Sequence, residues 1–548
     1  MQFTYDVTGF QDVFEHEFTY LNGFLRNVSR FGDCPAMYCP LTGRRWDYRA
    51  LNADANRLAH ALQADGAGRG EVVMYMLLNS PEFVFCYLAA QKTGAVNCPV
   101  NYRQAAGEIA LMIDDSRPAV FVYDEEFRDT ARQALALAEH KPRRVVVTDL
   151  WNRAEAEPGE TTYRSYVGGQ PDTDPQRTER PHIYDETTRL YTSGTTGKPK
   201  AVPLNNINEV LSAHDVMMHF PLNATDRTMN MTPWFHRGGL HSGGPTPTLY
   251  AGGEIVILRD FNPRRCLQYV EKYRLTFLIG VPTILAMLAR AQEIKPADLS
   301  TLRGIVTMGA PFERAACEKY RRLLTPNIFN GYGTTESFWN TFLRPYNLPE
   351  RSGSAGQSCT DDEVRVVRVC KTGHAEPQDT VARDNTEIGE IIIKSPAKSS
   401  YCYFNNPEMT DRKFYKGYLY TGDLGTWDNQ EFITITGRKD DMIVSAGENI
   451  YPAQIEAVLN EHPKVAESGV VGIPDRLRGE ALAAYIVRTD DSLTEEELKQ
   501  YCAGHAMLSP YKRPRTYHFV RELPHTATGK LMHSRLREIA LAQNNGKV

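Results

Sequence analysis

The run Tyr191–Lys200 reads YTSGTTGKPK. Four hydroxyl side chains, Thr192, Ser193, Thr195 and Thr196, alternate with Gly194 and Gly197, and Lys198 and Lys200 follow. Glycine lets the backbone turn so that successive N–H groups converge on an anion. Hydroxyls add donors, and lysine adds mobile positive charge. This is the chemistry of a loop that closes over a polyphosphate. It is not a Walker loop, which needs four residues between its first glycine and Gly-Lys, then Ser or Thr. Here only Thr195 and Thr196 separate Gly194 from Gly197, and Pro199 follows the lysine.

Other stretches carry compatible chemistry. In Asn330–Glu336 (NGYGTTE) the glycines permit close backbone approach and Tyr332 offers a flat face for a base. Glu336 offers a hard oxygen for magnesium. Tyr418–Asp423 reads as a strand ending in an acidic residue, which suits a ribose diol. Gly437–Asp441 (GRKDD) is a charged turn between domains, and Pro524–Lys530 places one lysine in a loop of small residues. His236 and His241 suggest a metal pair, but no third ligand accompanies them in the sequence. Asp491-Ser492-Leu493 resembles the attachment triplet of a carrier domain, yet no separate module surrounds it; a helix entry with Thr494 as cap is the reading.

These stretches need a scaffold. Val72–Leu78 is a continuous apolar run of strand length, as a buried parallel strand should be. Ser80-Pro81 gives an N-cap with proline at the first helical position, and a helix over 82–92 follows. Strands at 94–100, 118–123 and 144–148 continue the alternation, which resumes at 227–231, 254–258, 276–280 and 304–308. Such repetition implies parallel sheets with helices on both faces. Near the N-terminus we expect one helix over 14–28. Residues 150–186 read as a polar surface connection that delivers the phosphate loop. Short strands between 350 and 436 suggest a β-rich subdomain, and from about 441 a compact α+β unit begins.

At 548 residues the chain exceeds one core and should split into at least two domains. The net charge of −5 gives no basic field for nucleic acid. The ten cysteines form no Cys-x-x-Cys pair and no metal-like cluster, which suits free thiols in a reducing cytoplasm. The N-terminus lacks an apolar signal core, and no apolar run approaches the roughly 18 residues of a membrane span. A soluble cytoplasmic protein is expected.

In this order, Tyr191–Lys200, Trp234–His236, Asn330–Glu336, Gly389–Pro396, Tyr418–Gly425, Gly437–Asn449 and Pro524–Lys530 resemble the core motifs of the adenylate-forming superfamily. That superfamily holds acyl- and aryl-CoA synthetases, luciferases and the adenylation domains of peptide synthetases. The resemblance runs from about residue 30 to 540, with no broken catalytic position. It implies an α/β fold. Residues 1–439 would form a large N-terminal domain of two doubly wound subdomains and a small β-barrel, and residues 440–548 a small mobile α+β domain hinged at Asp440.

The resemblance also implies roles. Thr192, Ser193, Gly194, Thr195, Thr196, Gly197 and Lys200 would hold the β- and γ-phosphates. Gly309, Ala310 and Pro311, with Asn330, Gly331, Tyr332 and Gly333, would frame adenine. Thr334 and Thr335 would reach the nucleotide, and Thr335 and Glu336 the α-phosphate and Mg²⁺. Asp423 would bind the ribose, supported by Arg438, and Lys530 would bridge the substrate carboxylate and the α-phosphate. His236 would orient that carboxylate, with Gly238, Phe338 and Trp339 around the acyl group. Ser445, Ala446, Gly447 and Glu448 would line the pantetheine tunnel of coenzyme A, and Lys512, Arg513 and Arg515 would meet its phosphates.

The implied reaction is AMP-forming ligation of a carboxylic acid to CoA, with ATP and magnesium. Bulky Phe338 and Trp339 favour a short or medium, alicyclic or aromatic acid, whereas Gly238, Gly239, Gly243 and Gly244 leave room. A carrier-protein acceptor, a long-chain fatty acid substrate and a non-enzymatic ATP sensor are the alternatives. No Asp follows His236 to capture an amino acid's ammonium, which weighs against a peptide-synthetase module. The sequence around Lys530 also resembles that of lysines modified by acetyltransferases, and a homodimer is one open assembly state.

Overall fold

The computed structural model describes residues 6–177, 179–192, 200–309, 312, 314–370, 373–445, 448–475, 479–505, 508, 510–526 and 529–545. The strand Val72–Met76 is buried along its whole length, as its unbroken apolar run requires. It lies in a seven-stranded sheet ordered Thr161–Thr162, Arg144–Thr148, Val120–Asp124, Val72–Met76, Val96–Pro99, Glu186–Thr192 and Lys200–Asn205. Neighbours run parallel except for the last pair. Ser80 caps the helix Pro81–Thr93 by accepting from the Phe83 amide, with proline at the helix start. That helix is buried on every side.

A nine-stranded sheet runs in the order Gln357–Ser358, Phe338–Leu343, Ile328–Thr334, Gly304–Met308, Phe277–Gly280, Arg227–Asn230, Glu254–Val256, Pro35–Tyr38 and Arg45–Asp47. Both sheets belong to one of two compact units, Met1–Glu363 with Lys394–Leu419. The other unit is Val364–Ile393 with Tyr420–Val548. In it Asp423–Trp427, the end of the strand Tyr418–Trp427, pairs antiparallel with Ile433–Arg438. Its C-terminal sheet orders Glu448–Ile450, Ile443–Ser445, Gly479–Arg488 and Val465–Asp475, with Thr516–Val520 parallel to Gly479–Arg488. Thr494 caps the helix Glu495–Gly504 by accepting from the Glu497 amide. No helix among the described residues is long and apolar enough to cross a membrane.

Four local expectations change. The helix expected over 14–28 is two helices, Thr8–Glu17 and Tyr20–Arg30, because Thr19 turns extended and caps the second. The connection 150–186 is not merely a surface link, since it carries the helix Tyr163–Val167 with both tyrosines buried. The Asn330 segment continues its strand to Thr334. Asp423 sits in the middle of Tyr418–Trp427 rather than at a strand end.

Candidate active site

Strand pairing brings the two ends of the Tyr191–Lys200 stretch together, with Thr192 opposite Lys200 in register. The Thr192 hydroxyl donates to the Lys200 carbonyl at 3.4 Å. Upstream, the Tyr191 hydroxyl donates to Asp115 Oδ2 and meets Ser116 Oγ, each at 2.6 Å. This anchor was not flagged by the sequence. Ser193, Gly194, Thr195, Thr196 and Gly197 lie outside the described residues, as do Ala310, Pro311, Ala446, Gly447 and the Glu448 side chain.

Gly309 follows the strand Gly304–Met308 with φ +86°, a conformation that suits glycine. Asn330, Gly331, Tyr332, Gly333 and Thr334 lie on one strand whose register to Phe338–Leu343 shifts between Tyr332 and Gly333. A Cβ on Gly333 would fall 1.5 Å from the Phe338 carbonyl oxygen, so the glycine is a backbone necessity. The Thr334 and Ser337 hydroxyls meet at 3.0 Å and brace the turn. In that turn, Glu336 Oε1 accepts from the Tyr403 hydroxyl at 2.5 Å. Tyr403 is buried, and burial together with the Glu336 charge pushes its pKa far above the ordinary phenol value.

His236 precedes the short helix Arg237–His241. Arg237 is 3% exposed and ties three segments together. Its Nη1 donates to the Thr335 carbonyl at 2.5 Å, and its Nη2 to the Lys398 carbonyl at 2.7 Å and Ser212 Oγ at 3.3 Å. Burial pushes the guanidinium down to about 10, against the pull of Glu209 and Glu336. A Cβ on Gly238 would stand 3.1 Å from Met308 Sδ. Phe338 and Trp339 are buried and stacked on each other.

His241 Nε2 meets Glu209 Oε2 at 2.7 Å in the interior. Burial works against the Glu209 carboxylate, yet His241 above all, with Thr188 and Tyr87 helping, holds its pKa below the ordinary value. A metal-capable trio does form elsewhere, from Asp215, His219 and Cys359, whose ligand atoms lie within 4.8 Å of one another. Sequence spacing gave no sign of it. The Lys398 ammonium already lies 3.0 Å from Asp215 and 2.7 Å from Asp362, and Arg344 faces His219 Nδ1 at 2.5 Å. Resident cations occupy that neighbourhood.

In the second unit, Arg438 Nη1 donates to Asp423 Oδ1 at 2.7 Å across paired strands. Lys530 belongs to the same electrostatic neighbourhood. Its residue surface is exposed, yet dense surroundings strip hydration from the ammonium and lower its pKa; Asp423 opposes this and Arg438 adds to it. Asp440 is exposed, and the preceding Lys439 pairs with Glu390 at 2.9 Å. Asp441 faces His533 Nδ1 at 3.6 Å, and His533 Nε2 lies 2.7 Å from Glu456. Ser445 is buried in the strand Ile443–Ser445. Lys512 donates to Gln454 at 3.1 Å, Arg513 to the Leu508 and Ala503 carbonyls, and Arg515 is exposed.

Within the first unit a carboxylate, Glu336, is held by a phenol; within the second an acidic residue, Asp423, is held by an arginine. Two family models match the chain: AMP-binding enzyme over residues 24–403 and AMP-binding enzyme C-terminal domain over residues 454–530. The chain is 30% identical over 510 residues to the long-chain-fatty-acid–CoA ligase FadD13 of Mycobacterium tuberculosis, covering 91% of this chain and 94% of that protein. It is 32% identical over 511 residues to the indoleacetate–CoA ligase of Aromatoleum aromaticum, covering 90% and 93%. The solved structure of the anthranilate CoA ligase AuaEII in complex with anthranoyl-AMP matches with a TM-score of 0.85 at 25% identity, covering 97% of this chain and 98% of that one. With the motifs in order and both family models matched across most of its length, the chain belongs to the AMP-binding enzyme family.

Proposed function

We propose that this protein is an AMP-forming carboxylate–CoA ligase, acting on a short or medium, alicyclic or aromatic acid. The observation that carries the reading is the grouping of Asp423, Arg438 and Lys530, distant in sequence, in one electrostatic neighbourhood. An acid substrate's oxygen attacks the α-phosphorus of ATP; the new O–P bond forms as the bond to pyrophosphate breaks. Both reactants are anions, so preorganised positive charge must offset their repulsion. Lys530 supplies it, with the 192–200 loop around the outer phosphates and Asp423 on the ribose. Glu336, a carboxylate oriented by Tyr403, fits magnesium's preference for hard oxygen, and the bound ion supplies further positive charge beside the phosphates.

The acyl-adenylate then loses AMP to a thiol. The sulfur attacks the acyl carbon, the C–O bond to AMP breaks, and the thiol proton passes to solvent. Lys530 has no part in this second step. Residues 440–548 move about Asp440 between the two half-reactions, and Ser445, Ala446, Gly447 and Glu448, with Lys512, Arg513 and Arg515, serve coenzyme A. Acetylation of Lys530 removes the charge that the first step needs. The protein works in the cytoplasm, and a homodimer is compatible with this scheme.

The buried, stacked Phe338 and Trp339 support a compact acyl group. The test is ATP–pyrophosphate exchange with a panel of carboxylic acids, followed by mass spectrometry of the product formed with CoA or with acyl carrier protein. Lys530→Ala is expected to lose about 10²–10³ in the exchange reaction. Absence of exchange with every acid overturns the reading.

A further inference from the structure

We infer that the acyl site takes a carboxylic acid carrying a second polar group, a hydroxyl, on the part of the molecule that reaches Phe338. This rests on the ligase reading above and narrows its substrate class.

Several side chains gather around the Phe338 ring. Trp339 stacks on it with centroids 4.9 Å apart and planes 16° from parallel. The Arg237 guanidinium lies 5.4 Å from its centroid, and His241 meets it edge-on at 6.1 Å. Glu209 holds His241 at 2.7 Å. Arg237 and Trp339 are 3% exposed, His241 1% and Glu209 0%. On these side chains, Arg237 Nε, Trp339 Nε1 and His241 Nδ1 have no hydrogen-bond partner among the described residues, whereas Glu209 is engaged by His241, Tyr87 and Thr188. Buried polar atoms are nearly always paired, and leaving one unpaired is costly. Several on adjoining side chains, around the ring assigned to the acyl group, point to a ligand that pairs them.

The chemistry of the set selects the ligand. His241 Nε2–H donates to Glu209 Oε2, and in the neutral imidazole Nδ1 then carries a lone pair that accepts. Arg237 cannot turn away, because both its Nη atoms are committed to Thr335, Lys398 and Ser212. Its Nε–H and the Trp339 Nε1–H are donors. A hydroxyl donates to His241 Nδ1 and accepts from one of those N–H groups, whereas a plain alkyl or aryl group leaves all of them bare. A compact acid whose far end carries a hydroxyl meets both the aromatic wall and the polar set.

The experiment compares kcat/KM for pyrophosphate exchange within matched pairs: benzoate with 2-, 3- and 4-hydroxybenzoate, cinnamate with 4-hydroxycinnamate, octanoate with 8-hydroxyoctanoate. At least one hydroxylated acid is expected to exceed its parent by about 10²-fold or more, since sites built around a substrate hydroxyl reject the bare analogue by roughly 10⁴–10⁵. His241→Leu is expected to collapse that ratio toward one. His241→Gln, which keeps a donor for Glu209 and an acceptor beside it, is expected to restore part of it. The wild-type panel alone decides the matter if neither variant folds. Parents equal to or better than their hydroxylated partners in every pair overturn the inference and leave the ligase reading standing. No exchange with any acid overturns both.

Discussion

Tyr403→Phe removes one oxygen atom and tests how Glu336 is held. The phenol is 5% exposed and donates to Glu336 Oε1 at 2.5 Å, so the variant keeps the ring and deletes the bond. A hydrogen bond to a charged group contributes about 1.5–3 kcal/mol. At about 1.4 kcal/mol per tenfold, that is a loss of roughly 10- to 150-fold in whatever requires Glu336 in place. If Glu336 serves the magnesium ion of the nucleotide, the loss falls on the half-saturating magnesium concentration in pyrophosphate exchange. The half-saturating concentration of the acid should barely move. The assay is a magnesium titration of exchange at saturating acid for wild type and variant, with a thermal melt as the control for folding. An unchanged magnesium requirement in a folded variant would falsify the assignment of Glu336, and the Tyr403 contact would then be a packing feature alone.

Gly333→Ala is expected to lower the melting temperature and abolish exchange, because the new Cβ would lie 1.5 Å from the Phe338 carbonyl oxygen, and backbone must give way; a melt within a degree of wild type contradicts this. The exchange rate should fall as pH rises through the lowered Lys530 pKa, because the deprotonated amine no longer offsets the phosphate charge. Arg438→Gln should move that fall to higher pH, since Arg438 adds to the lowering; a limb that stays put, or moves down, refutes the pairing of these two cations. Burial alone would lower the His533 pKa, but Glu456 and then Asp441 outweigh it and raise it. The stability it contributes is therefore full below its unfolded value of about 6.5 and lost as pH rises through the higher folded value. His533→Gln should accelerate hydrogen exchange at the Val470 amide, which shares Glu456 Oε1 at 2.7 Å, more at pH 5 than at pH 9. A variant-to-wild-type ratio that is constant with pH argues for a role independent of charge.

Local information made much of this protein legible. Val72–Met76 is a strand because its apolar run has no polar face to turn outward, and Ser80-Pro81 and Thr494 announced the helices they cap. Each of those signals acts within a few residues, so the chain alone specifies it. The motif order likewise named the family, because a glycine- and hydroxyl-rich loop, a glutamate, an aspartate and a lysine, each in its own short stretch, are chemical types readable one by one.

What the chain alone did not decide is which distant side chains meet. Nothing near Glu336 in sequence points to Tyr403, 67 positions away, and nothing near His241 points to Glu209, 32 positions away. The histidine spacing alone gave no partner for His241, and folding gave it the Glu209 carboxylate. Asp215, His219 and Cys359 converge only because the helix Asn206–His219 and the segment after Gln357–Ser358 pack together. Hydrogen bonds and ion pairs are short-ranged and directional, so their partners are fixed by packing rather than by residue type. The sequence by itself determined the family and most of the secondary elements. The tertiary structure decided how the glutamate is held, which polar atoms are left bare around Phe338, and therefore which acids the site should prefer.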